Sequence, residues 1–179
     1  MPDAPPDNSI EIRTETPDDH AAVFDINRSA FGQDNEARLV EALRRGDAFI
    51  PNLSLVAVLA ERIVGHILFT HVTIEASGRS TPSLALAPMA VTPERQRRGI
   101  GSALVREGLA TCRRLGHTSV IVLGHPAFYP RFGFVPAMPR GIRPPFDAPA
   151  EAFLAHELVP GSLDGVEGVV RYAAGFEDV

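Results

Sequence analysis

Residues 84–101 read LALAPMAVTPERQRRGIG. Leu84 to Val91 is an apolar run of strand formers, Pro93 halts it, and a long helical pattern starts near Gly99. Strand, basic turn and helix therefore follow one another. A turn holding Gly99 and Gly101 can aim several successive backbone N–H groups the same way. With the positive end of a helix behind them, these groups form an anion site suited to phosphates. Arg95, Arg97 and Arg98 add guanidinium forks that match phosphate oxygens. A plain strand-to-helix turn with solvated arginines would use the same residues. Two other phosphate-binding signatures fail on their letters. A P-loop needs a lysine, and every one of the 17 basic residues here is arginine. A dinucleotide fingerprint needs a third glycine where Leu104 stands, and an acid further on, where the apolar run Val120 to Leu123 lies.

The order of residues around the turn is more specific. Val91, Pro93, Gln96, Gly99, Ile100, Gly101, Ala103 and Leu104 spell V-x-P-x-x-Q-x-x-G-I-G-x-A-L. This resembles the acyl-CoA binding motif of the GNAT N-acetyltransferase superfamily, whose core Q/R-x-x-G-x-G/A is met by Gln96, Gly99 and Gly101. The resemblance implies an α/β (α+β) fold: a mixed, mostly antiparallel sheet of about seven strands flanked by helices, with one parallel strand pair splayed into a V. It also implies acetyl-CoA as co-substrate. Gln96, Arg97, Arg98, Gly99, Ile100, Gly101 and Ser102 would hold its pyrophosphate, and the backbone of Met89, Ala90 and Val91 its pantetheine arm. Pro88 cannot donate a ladder bond and is placed to part the strands.

Composition bounds what else the chain can do. Its 179 residues, 45% of them hydrophobic and 22% charged, suit one globular domain with a sizeable core. The net charge of -5 argues against nucleic acid as a partner, and no apolar run reaches membrane-spanning length. The single cysteine, Cys112, falls on a helical stripe and excludes an internal disulfide framework. Six scattered histidines show no metal-ligand spacing, so no metal is expected, and no G-x-S-x-G occurs. The start, MPDAPPDNS, has acids and prolines where a signal peptide would have positive charge and then apolar residues. The expectation is a soluble, cytoplasmic protein with a disordered leader over 1–8 and a single domain over 9–179.

Along the chain, Ser9 to Thr14 alternates like a half-buried strand, and Thr16-Pro17-Asp18-Asp19 reads as a helix start. That helix ends near Phe31-Gly32, and a second spans Asn35 to Arg45 with Leu39, Val40 and Leu43 buried. Leu53 to Ala60 and Ile63 to Glu75 form a hairpin turning at Glu61-Arg62, and Ser77 to Ser80 turns into the central strand. After the basic turn, Ile100, Leu104, Gly108, Cys112 and Leu115 recur at helical spacing, and Gly116 stops the helix. Thr118 to Leu123 is apolar throughout, as in a strand covered on both faces and parallel to the first. A short helical turn over Ala127 to Phe132, a strand from Gly133 and a proline-rich loop over 136–149 follow. Two final strands, Ala152 to Val159 and Gly168 to Ala173, are expected to run antiparallel.

Acyl transfer to an amine asks for a base to free the amine and an acid for the departing thiolate. The segment Tyr129-Pro-Arg-Phe-Gly133-Phe134 resembles the Y-x-x-x-G-F of GNAT enzymes, which implies Tyr129 as the acid. The base stays unassigned. His125 suits loop capping better than catalysis, and a water relayed by a carboxylate such as Glu75 serves equally well. His66 and His71 lie five residues apart on one strand, hence on opposite faces. The implied activity is direct transfer of an acetyl group from acetyl-CoA to an amine, without an acyl-enzyme. The rival is a non-catalytic acyl-CoA-binding module. The acceptor is a small molecule or a protein or peptide amine, which the family shapes with its first two helices, the loop around Phe31 to Asn35, and its late strands. A homodimer is allowed.

Overall fold

In the computed structural model, which describes residues 9–177, the quoted stretch sits at the centre of a nine-stranded sheet. The chain runs β1 (Glu11–Thr14), α1 (His20–Phe31), α2 (Asn35–Arg44), β2 (Phe49–Leu59), β3 (Arg62–Ala76), β4 (Arg79–Val91), α3 (Ile100–Arg114) and β5 (Ser119–Leu123). It continues through β6 (Val135–Pro136), β7 (Ile142–Arg143), β8 (Phe153–Glu157) and β9 (Gly168–Arg171). The main strand order is β1-β2-β3-β4-β5-β8-β6, and every pair is antiparallel except β4 with β5 and β7 with β9. The expected disordered leader lies outside the described residues. Nine strands stand against the expected seven or so because two of them, β6 and β7, are only two residues long.

Each local prediction for α1 to β4 is met within a few residues. A short 3-10 turn, Pro17–Asp19, leads into α1, and Asp19 holds it by accepting the Thr16 N–H at 2.7 Å and the Thr16 hydroxyl at 3.0 Å. The β2–β3 turn falls at Ala60-Glu61, one residue earlier than expected. Both residues have positive φ, 47° and 61°, the conformation that matches a two-residue hairpin to the twist of its strands. The proline-rich loop is less bare than its composition suggests, since it carries β7 and a 3-10 turn at Met138–Arg140.

The final pair is a correction. β8 pairs with β5 and β6, whereas β9 pairs with β3 and β7, so the two strands are not neighbours. β3 is long enough for two partners on one edge: β2 leaves it at Thr70, and β9 takes over at Thr73 to Glu75. Alternation says that a strand is half buried; it does not say which edge the strand joins.

Layers form on both faces. α3 lays Ile100, Leu104, Val105, Leu109 and Cys112 on a face carrying Ile67, Phe69, Leu84, Leu86, Val120 and Val122. Gly108 is the point of closest approach, where the Phe69 ring occupies the space a side chain would fill. Leu115, expected on the same stripe, caps the helix and is exposed. On the other face α1 and α2 cover Val56 and Leu68 with Val23, Leu39, Val40 and Leu43.

Candidate active site

The parallel pair opens because β4 changes register. Ile67 faces Met89 and Phe69 faces Leu86, so Ala87 and Pro88 together oppose the single residue Leu68, a β-bulge. β4 and β5 pair only at Leu84–Val120 and Ala85–Ile121. Beyond those rungs β5 stays with β8 to its last residue, Leu123, while β4 continues on β3 alone. Among the described residues no strand pairs with the β4 edge that faces the gap from Leu86 to Val91. This leaves a cleft of about 1080 Å³ with a row of backbone donors and acceptors along one side.

At the head of the cleft the chain turns from β4 into α3. Arg97 and Gly99 have positive φ, 59° and 86°, which turns successive amides toward one side. Among the described residues, no backbone carbonyl accepts from the N–H groups of Arg97 to Ser102; the first amide of α3 to find one is Ala103, on Gly99 at 3.0 Å. Gly99 has nothing within 4 Å of where a side chain would start, and at Gly101 a Cβ would meet Met89 and Phe128 at 3.6 and 3.7 Å, an ordinary contact. Gln96 donates from Nε2 to the Val91 carbonyl at 3.1 Å, which ties the turn to the end of the strand. The Ile100 side chain is buried in the core, so only its amide can serve the site. Arg97 and Ser102 line the cleft, whereas Arg98 is exposed away from its lining.

Across the gap stands Tyr129, in a 3-10 turn at Tyr129–Phe132 whose first amides are held by the His125 carbonyl. Its ring packs edge-on against Phe128 and Phe134 at 5.0 and 5.5 Å and lies on Gly124, where a side chain would overlap it. Burial pushes the phenol up to about 12, so it stays protonated at neutral pH, and among the described residues its hydroxyl has no hydrogen-bond partner. The turn is braced from behind. Arg113 donates to His156 Nε2 at 2.9 Å, and His156 Nδ1 donates to the Gly133 carbonyl at 3.0 Å.

The remaining candidates separate clearly. His125 is exposed and lines the cleft. Glu75 does not line it: it pairs with Ser80 at the other end of β4 and bonds Arg171 at 3.4 Å. Cys112 is fully buried on the sheet-facing side of α3 with its thiol pushed up to about 12, which leaves it inert. His66 is also fully buried, among Asn27, Ser54 and Glu15, far from solvent. Three residues that frame the cleft carried no signal in the sequence: Gly124, Phe128 and Glu36. Gly124 follows an apolar strand, but nothing in the letters says that a ring lies on it.

A mixed sheet parted beside a helix start with free amides is an architecture able to take an anionic ligand between its strands. The family profile described as an acetyltransferase (GNAT) domain matches residues 11–137, and the chain belongs to the GNAT acetyltransferase family. It is 36% identical over 166 residues to the uncharacterized N-acetyltransferase YhbS of Escherichia coli, covering 92% of this chain and 97% of that one. It is 40% identical over 134 residues to the uncharacterized N-acetyltransferase YjhQ of the same organism, covering 74% of each. The crystal structure of E. coli YhbS in complex with CoA superposes with a TM-score of 0.89 at 32% identity, covering 97% of this chain and 95% of that one. A GNAT acetyltransferase from Brucella melitensis in complex with acetyl-CoA gives 0.76 at 33% identity, covering 94% and 99%.

Proposed function

We propose that this acetyltransferase moves an acetyl group from acetyl-CoA directly to an amine. The observation that carries the reading is the run of unpartnered amides from Arg97 to Ser102, opening into the same cleft as the Tyr129 hydroxyl. Amides aimed together at a helix start suit a pyrophosphate, and the free β4 edge at Met89, Ala90 and Val91 suits the amide-rich pantetheine arm. Arg97 adds charge beside the turn, and Arg98 sits near enough in sequence to meet an outer phosphate. The solved relatives named above, with CoA and with acetyl-CoA, support the same ligand.

Acetyl-CoA, when bound, supplies the activated acetyl thioester. The chain's own part is to orient it and to assist the departing sulfur. With its phenol raised to about 12, Tyr129 is a weaker acid than a thiol of ordinary pKa near ~8.5, so its main contribution is a hydrogen bond to developing thiolate charge in a dry site. The only cysteine in the chain is buried between α3, which carries it, and the sheet, which favours direct attack over a thiol-bound acyl-enzyme.

A thiol-release assay across amines, run beside calorimetry with acetyl-CoA, tests the reading. Tyr129→Phe should keep acetyl-CoA affinity and lower kcat by about a hundredfold. Equal rates in the two proteins would remove Tyr129 from the reaction. Binding with no turnover of any amine would leave a non-catalytic acyl-CoA module.

A further inference from the structure

Part of the wall of the cleft that the glycine turn lines is built by the end of α1 and the start of α2. Ala30, Phe31 and Leu39 make it apolar, and the Phe31 ring stands 43% exposed at its edge. Set into this wall is Glu36, which among the described residues is the only carboxylate lining the cleft. Two other acids of this segment are ion-paired: Asp25 with Arg28 at 2.9 Å, and Asp34, which precedes α2, with Arg38 at 3.6 Å. Glu36 has no cation within ion-pair distance among the described residues. Instead Gln33 Nε2 lies 3.2 Å from each of its oxygens, an arrangement that orients the carboxylate and leaves its charge intact.

The other charged side chains that line the cleft, Arg97 and Arg131, are cationic and belong to other elements, and neither is ion-paired with Glu36. Arg97 belongs to the turn before α3, and Arg131 rests over the Phe128 ring at 4.9 Å and on the Ala127 carbonyl at 3.4 Å. The cleft thus carries anion-seeking groups on the turn before α3 and one carboxylate without an ion-pair partner, among apolar residues, on α1 and α2. Such a division sorts two ligands by charge.

We propose that Glu36 selects the acceptor, and that the acceptor class is an amine carrying a second positive charge on an apolar spacer. The reason for a second charge is chemical. An ammonium held against a carboxylate has its pKa raised, which opposes the loss of the proton that must precede attack. In this proposal the cation on Glu36 and the nitrogen that attacks are different groups, joined by a stem long enough to lie along Phe31 and Leu39. An acceptor with a carboxylate in place of the second ammonium meets Glu36 as a like charge. An acid in the first turn of a helix also offsets the helix dipole, but that role makes no demand on the acceptor. The inference rests on the acetyl-CoA reading of the glycine turn.

The test uses the purified full chain with acetyl-CoA and three probe sets of graded length: straight-chain α,ω-diamines, monoamines of equal length, and ω-amino acids of equal length. For the best diamine, kcat/KM should exceed that of the matching monoamine by about tenfold or more, with the ω-amino acid lower still. In Glu36→Gln the KM for that diamine should rise about tenfold with kcat within about threefold, and the KM for the monoamine should move less than about threefold. Glu36→Asp should recover part of the difference, and both variants should bind acetyl-CoA as the parent does. Equal diamine and monoamine constants in the parent, or an unchanged diamine KM in Glu36→Gln, would overturn the proposal. A parent that gives calorimetric heat with acetyl-CoA yet acetylates none of the diamines overturns it too and leaves the acyl-CoA reading standing. A parent that binds no acetyl-CoA overturns that reading and this inference with it.

Discussion

At the scale of single residues, the site depends on what is absent as much as on what is present. The Tyr129 ring has its place because Gly124 has no side chain, and its hydroxyl is left unpartnered toward the cleft. Gly124→Ala would force the ring off its seat. The expected result is a fall in kcat of about tenfold or more with acetyl-CoA affinity retained, because a misplaced donor loses alignment while the amides at the head of the cleft are untouched. Steady-state kinetics beside calorimetry check it, and an unchanged kcat would mean that the ring position is immaterial. Tyr129 was legible in the sequence from its spacing to Gly133 and Phe134. Its support from Gly124 was not, because the two come together only when the chain after β5 folds back over the strand end.

At the scale of elements, α3 carries both a structural and a functional duty. Its first turn supplies free amides, and its middle must lie close enough to the sheet for the turn to meet the end of β4. Gly108 permits that approach: a methyl group there would lie 2.5 Å from Cε2 and 2.7 Å from Cζ of Phe69, a ring with no exposure of its own. Alanine favours a helix over glycine by about 1 kcal/mol, but overpacking a rigid core costs about 1–3 kcal/mol. Gly108→Ala should therefore lower stability by up to about 2 kcal/mol despite the better helix former. Urea unfolding at constant m value reads this out; a stabilised variant would show that the ring yields freely. The helix itself was plain from its apolar spacing. That its glycine is a contact point rather than a weakness appears only with Phe69 in place.

At the scale of the whole molecule, a buried polar group joins α1 and α2 to the sheet beneath the cleft. Arg44 binds both oxygens of Glu15 at 2.9 and 2.7 Å, and Glu15 lies 3.8 Å from His66 Nε2. Asn27 donates to His66 Nδ1 at 3.3 Å, which leaves Nε2 to carry the proton and donate to Ser54 at 2.9 Å. His66 is therefore held neutral, and burial pushes its pKa down to about 4, against the raising effect of Glu15 and together with the lowering effect of Arg44. A folded pKa below the unfolded one means full stability above about pH 6.5 and loss as pH falls toward about 4, since the unfolded chain takes the proton first. The loss attributable to His66 should reach about 3 kcal/mol at the bottom of that window. His117 and His156 are shifted the same way, so the measurement is a difference: denaturation at several pH values in the parent and in His66→Gln. The variant should be less stable at pH 7 but lose less on acidification, and parallel losses in both proteins would refute the assignment.

The sequence by itself determined the elements and the head of the cleft, because periodicity, caps and the Q-x-x-G-x-G spacing are written in neighbouring residues. The strand, the glycine turn and the helix after it needed no distant partner to be recognised. Tertiary packing alone set which edge β8 and β9 join, that Gly124 seats Tyr129, and that Glu36 lines the same cleft as the glycine turn. The strand pairings and the place of Glu36 are relations between residues far apart in the chain, and the Gly124 contact depends on a fold-back after β5. They exist because burying both faces of one sheet leaves each strand and helix a single place to pack.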